Sequence, residues 1–181
     1  MNIAQLAIRD LIVFQPQIFK DDRGYFFESF NQAKFEKTIG YEVNFVQDNH
    51  SYSHQNILRG LHYQIDKSQS KLIRVVQGEI FDVVVDIRSN SPSFGQWVGQ
   101  ILSAANNKHF WIPKGFAHGF LVLSESAIVN YKVTDYYHPA SEQTIIWDDA
   151  TIGIKWPIQE RLPIISPKDK MGKAFLQTEY F

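Results

Sequence analysis

A chain of 181 residues with 44% hydrophobic and 20% charged residues is long enough, and apolar enough, to bury one sizeable core. Its net charge of −1 gives no basic footprint, which excludes a nucleic-acid polymer as the expected partner, and the absence of cysteine excludes disulfides, thiolate catalysis and zinc–sulfur centres. Aromatic residues reach 14%, with 14 Phe, 8 Tyr and 4 Trp, which suits β-rich packing and stacking surfaces.

The first stretch, MNIAQLAIRDLIVFQPQIF, has no basic leader, and Arg9–Asp10 interrupts its apolar pattern, so it does not read as a signal peptide. No apolar run approaches bilayer-spanning length. The expectation is a cytoplasmic protein with no membrane partner. Without a repeat, a low-complexity tract or a Ser/Gly-rich linker, one domain over residues 1–181 is the simplest organisation.

Residues 31–40, NQAKFEKTIG, form a helix candidate with Asn31 as N-cap and Gly40 as its stop. Next comes RGLHYQ, residues 59–64. Strand alternation groups Gly60, His62 and Gln64 on one face and turns Arg59 to the other. Bringing Arg59 and His62 into one pocket requires a bulge or twist, for which Gly60 is the natural site. KLIRVVQGEIFDVVVDIRSNSPSFG then reads as two strands joined tightly at Gln77–Gly78. In the second, Phe81, Val83, Val85 and Ile87 share one face and Ile80, Asp82, Val84 and Asp86 the other, so it sits in a sheet packed on both sides. Further strands are predicted at WVGQILSA, HFWIP, GFLVLS, AIVNYKVT and TIIWDD. The Pro-rich segment WPIQERLPIISPKDKMGKAF is expected as loops and short helical turns. Many short strands with one clear helix favour a mainly β sandwich or small barrel of jelly-roll type.

His62 is a candidate general base, although a lone histidine beside apolar residues is more often structural than catalytic. His118 groups with Phe116, Phe120 and Val122 on an inward face and needs a hydrogen-bond partner there. Tyr131 shares a face with Val129 and Val133, so its hydroxyl points inward as a candidate acid. Lys71 begins a strand, where its ammonium could stabilise an oxyanion, and Asp169 could orient His62. Gln64 stands where cupin metal sites often place a second histidine, so the expected site is metal-free even though PKGFAH resembles the second cupin motif.

DDRGYFFESF, FVQDNHSYSHQNILRGLHYQ, QSKLIRVVQGEIFDVVVDIRSNSPSFG, IPKGFAHGFLVLS, YKVTDYYHP and WPIQERLPIISPKD follow one another along most of the chain. In that order they resemble the dTDP-4-dehydrorhamnose 3,5-epimerase family. The resemblance implies a cupin-type jelly roll (a double-stranded β-helix), a homodimer without metal or organic cofactor, and dTDP-4-dehydro-6-deoxy-D-glucose as substrate. It implies His62 as base paired with Asp169, Tyr131 as acid, and Lys71 beside the C4 oxygen. It also implies Arg23 and Glu28 as nucleotide contacts and Arg59 and Lys168 as contacts to negative charge. Gln47, Asn49, His118 and Glu142 match further substrate contacts, and Tyr137 the aromatic that stacks on thymine.

Overall fold

The computed structural model describes residues 2–158 and 161–181. The chain begins with strands β1 (Asn2–Gln5), β2 (Ile12–Gln15), β3 (Phe19–Asp21) and β4 (Gly24–Phe26), then helix α1 (Gln32–Ile39). Strands β5 (Gln47–His54), β6 (Ile57–Gln64), β7 (Lys71–Gln77), β8 (Glu79–Asp86) and β9 (Trp97–Ser103) follow. After them come β10 (His109–Ile112), β11 (Phe116–Val122), β12 (Ser126–Val133), β13 (Glu142–Thr144), β14 (Ile164–Ile165) and helix α2 (Pro167–Lys170).

Two sheets face each other across the core. One runs β1-β2-β10-β7-β12-β5 and the other β13-β6-β11-β8-β9, with β14 added beside β6. This is the expected mainly β, cupin-type jelly roll. Ile73, Val75, Phe110 and Val129 of the first sheet meet Ile80, Val84, Phe116, Phe120 and Val122 of the second in one apolar core. Phe81, Val83, Val85 and Ile87 pack on the opposite side of β8 with Leu61, Ala117 and Ile145, so that strand is indeed covered on both faces.

Helix α1 keeps its predicted ends. The Asn31 Oδ1 accepts from the Lys34 N–H at 3.1 Å, and Gly40, at φ 86°, donates to the Glu36 carbonyl. Phe35 pins the helix to the outside of the first sheet against Phe14 and edge-on to Trp111. Gly78 makes the predicted tight connection between β7 and β8; a Cβ there would sit 2.0 Å from the Ser126 carbonyl oxygen.

TIIWDD is corrected: only its first residue closes strand β13. Ile145 still exchanges backbone hydrogen bonds with Leu61, but the chain then turns, because the Asp149 carboxylate accepts from the N–H groups of Thr151, Ile152 and Phe175. The N-terminal strands β1 to β4 and the polar strand β5 were not among the predicted elements. The described part of the C-terminal segment is loop, the pair Ile164–Ile165 and short helical turns, as expected; residues 159–160 of it lie outside the described residues.

Candidate active site

One end of the space between the sheets opens into a cavity of about 340 Å³. The first sheet supplies Gln47 and Asn49 from β5, Lys71 from β7 and Tyr131 from β12; the second supplies Arg59 and His62 from β6, His118 from β11 and Glu142 from β13. Tyr137 closes the rim. His62 and Tyr131 therefore stand on opposite walls.

The bulge anticipated at Gly60 is present. Against β11, His62 is the register partner of His118 while Arg59 is that of Phe120, so β6 spends one residue more than its neighbour between those pairs. That extra residue reverses the alternation and turns Arg59 and His62 into the same cavity. Gly60 takes φ 113°, and a Cβ there would lie 2.6 Å from the His118 carbonyl oxygen, so the bulge needs glycine.

Behind His62 lies Asp169, 3% exposed on helix α2, with its Oδ1 2.6 Å from His62 Nε2. Burial works against this carboxylate, but hydrogen bonds from His62 and the Gly60 N–H hold it below the ordinary aspartate range. An ionised Asp169 fixes the imidazole with its proton on Nε2 and leaves the lone pair of Nδ1 for a substrate. Across the cavity, burial and the neighbouring Glu142 raise the Tyr131 pKa, with Arg59 pulling the other way. Tyr131 thus keeps its proton at neutral pH.

Lys71 is 8% exposed, and burial lowers its pKa to about 8, with Glu142 and Asp82 opposing the fall. Its ammonium is the buried positive charge of the site. Arg59 is set by its Nε–H donated to Ser53 Oγ at 2.9 Å. Gln47 donates to Asn49 Oδ1 at 2.8 Å and accepts from the Tyr137 N–H. Glu142 ties the rim together, accepting from the Tyr137 hydroxyl at 2.7 Å and from Lys168.

Arg23 and Glu28 do not reach this cavity in their own chain. Arg23 lies in the exposed turn between β3 and β4, paired with Asp21, and Glu28 pairs with Lys34 at 2.8 Å. Sequence reasoning gave no role to Ser53, which holds Arg59, or to Asp82, whose Oδ2 lies 2.9 Å from His118 Nε2. The inward position of Asp82 was readable from strand alternation, but its partner was not. Among the described residues, no group of three or more His, Asp or Glu side chains is arranged to hold a metal ion, and no helix is long and apolar enough to cross a membrane.

The family model described as dTDP-4-dehydrorhamnose 3,5-epimerase matches residues 5–177. The chain belongs to this family. It is 55% identical over 181 residues to the dTDP-4-dehydrorhamnose 3,5-epimerase of Pseudomonas aeruginosa, covering 100% of this chain and 99% of that protein. A dTDP-6-deoxy-D-glucose-3,5-epimerase from Legionella pneumophila, solved in complex with dTDP-4-keto-L-rhamnose, superposes with a TM-score of 0.95 at 50% identity, covering 98% of this chain and 94% of that one. ChmJ, a 3'-monoepimerase from Streptomyces bikiniensis in complex with dTDP-quinovose, shares the fold at a TM-score of 0.89 and 32% identity, covering 95% of this chain and 87% of that one.

Proposed function

We propose that this family member is a dTDP-4-dehydrorhamnose 3,5-epimerase of dTDP-L-rhamnose biosynthesis, acting on dTDP-4-dehydro-6-deoxy-D-glucose without metal or organic cofactor. The observation that carries the reading is the placement of a base and an acid on facing walls of one cavity. Carbons 3 and 5 flank the C4 ketone, so removing a proton from either gives an enolate whose charge rests on the C4 oxygen. Inversion then requires a proton from the opposite face, and a single group on one wall would only restore the starting centre.

In this reading His62 Nδ1 takes the proton, and Asp169 balances the imidazolium that forms. Lys71 stabilises the enolate oxygen from within a poorly solvated interior, where a fixed charge counts for more than in water. Tyr131 delivers the new proton, and the nearby charge of Arg59 eases formation of its phenolate. After each inversion His62 holds one proton too many and Tyr131 one too few, so both exchange with solvent before the next centre reacts.

Arg59 and Lys168 suit the diphosphate, since arginine presents a fork of donors to phosphate oxygens. Tyr137 offers an exposed ring for the thymine, while Gln47, Asn49, His118 and Glu142 hold the remaining polar groups of the nucleotide sugar. With this reading go one domain over residues 1–181, a cytoplasmic setting and a homodimer. The hairpin β3–β4 exposes Phe19, Tyr25 and Phe26 by 55%, 59% and 69%, an apolar arm suited to a second copy. A dimer in which each arm reaches the partner's cavity would give Arg23 and Glu28 their place at the nucleotide.

The test is a pair of variants that preserve size. His62→Asn and Tyr131→Phe should each bind dTDP as the unaltered protein does and lose turnover by at least about 10²-fold. Full turnover in either variant would refute the assigned roles.

A further inference from the structure

Asp82 sits behind the cavity rather than in its lining, at the middle of β8. It has no exposed surface. Its Oδ2 meets His118 Nε2 at 2.9 Å, while Oδ1 is buried with no hydrogen-bond partner among the described residues. A carboxylate so enclosed is costly unless positive charge compensates it. Burial raises the Asp82 pKa; what opposes it and favours the carboxylate is His118 at hydrogen-bond distance and, to a lesser degree, Lys71.

The arrangement duplicates its neighbour. His62 and His118 are register partners on adjacent strands, and each has a buried aspartate at Nε2. Asp169 divides its charge between His62 and the Gly60 N–H, whereas Asp82 keeps one oxygen uncommitted. Glu142, the other carboxylate acting on Lys71, is already engaged by Lys168 and Tyr137.

We infer that Asp82 is a positioning residue for the epimerisation: its buried carboxylate holds His118 with Nε2–H turned inward and Nδ1 toward the substrate, and it supplies the counter-charge that keeps Lys71 an ammonium at the C4 oxygen. This rests on the epimerase reading above. The ionisable groups sharing the interior with Lys71 are Asp82 of β8, Glu142 of β13, His118 of β11, Arg59 and His62 of β6, and Tyr131 of β12. From β10 its register partner is the apolar Ile112. Burial already brings Lys71 to about 8, with Glu142 and Asp82 resisting. Removing the charge of Asp82 leaves Lys71 closer to losing its proton at neutral pH.

Asp82→Asn keeps the size of the side chain and a hydrogen bond to His118 while removing the charge. The expected result is a fall in kcat of about 10- to 100-fold near neutral pH, with dTDP binding unchanged. The alkaline limb of the kcat profile should also move to lower pH, which a purely structural role would not cause. Wild-type kcat with an unmoved alkaline limb would overturn the inference. If the variant fails to fold, nitrogen-15 spectra of the unaltered protein decide the matter. His118 Nε2 should stay protonated throughout the pH range in which the protein is folded, and an unprotonated Nε2 at neutral pH overturns the proposal. An unaltered protein without turnover would sink the epimerase reading and this inference with it, a result distinct from an active enzyme indifferent to Asp82.

Discussion

Replacing Lys71 by methionine should make the protein more stable while disabling it. The buried ammonium has its pKa brought from 10.5 to about 8, which corresponds to about 3 kcal/mol at roughly 1.4 kcal/mol per pH unit. The sign follows from proton binding. Between pH 8 and 10.5 the unfolded chain holds a proton on Lys71 that the folded chain has lost, so stability rises with pH across that window. Below pH 8 the full cost of the buried charge is present. Methionine has a similar length and no charge, and the fall to about 8 is already net of the attraction of Glu142 and Asp82, so Lys71→Met should gain up to about 3 kcal/mol at pH 7. For a chain of this size that is a rise in Tm of roughly 6–12 °C. Paired urea titrations at fixed protein concentration from pH 7 to 10 would show the gain and its decline toward zero. Turnover should fall by about 10²–10³-fold, as for loss of an oxyanion donor. A variant less stable than wild type at pH 7, or a gain that does not change with pH, would refute the reasoning.

Gly60→Ala should leave binding of free dTDP weaker and turnover at least about 10²-fold lower, because its Cβ would meet the His118 carbonyl oxygen at 2.6 Å and push Arg59 and His62 off their shared face. Steady-state kinetics and calorimetry check this; wild-type kinetics would show that the bulge tolerates a side chain. Asp169→Asn should lower kcat by about 10²–10⁴-fold with little change in dTDP affinity, by analogy with other catalytic histidines deprived of their carboxylate. Since Asp169 has a depressed pKa, its pairing contributes stability above about pH 4 that is lost as pH falls through the folded value. Acid denaturation of the Asn variant should accordingly be shallower than that of wild type over that range.

Much of this architecture is legible in the chain because its signals are local. Asn31 and Gly40 announce helix α1 at both ends, and Gly78 announces the connection of β7 to β8. Strand β5 shows why other parts are not. Its inward residues Gln47, Asn49 and Ser51 line the cavity instead of a core, so the apolar alternation that marks a strand is missing there. TIIWDD failed in the opposite way: Ile145 is buried, but the backbone turns around Asp149, and periodicity cannot distinguish the two.

The shared placement of Arg59 and His62 was readable for a definite reason. Alternation sent Arg59 away from His62, the chemistry wanted them together, and Gly60 was the residue able to reconcile the two. Asp169 could be matched to His62 only through the family resemblance, since 107 positions separate them along the chain. The pairing of Asp82 with His118 left no trace at all in spacing. Arg23 and Glu28 match the family pattern yet stand outside their own chain's cavity, paired with Asp21 and Lys34, a placement that a motif match does not show.

The measurement that tests the account most directly is incubation with dTDP-4-dehydro-6-deoxy-D-glucose in D₂O, without added cofactor, followed by location of the label by NMR. Exchange of His62 and Tyr131 with solvent between steps predicts deuterium at both C3 and C5, with a product that a downstream reductase converts to dTDP-L-rhamnose. Label at C3 alone would contradict the double inversion and place the enzyme with monoepimerases such as ChmJ; no label at either carbon, in a protein that binds dTDP, would contradict catalysis altogether.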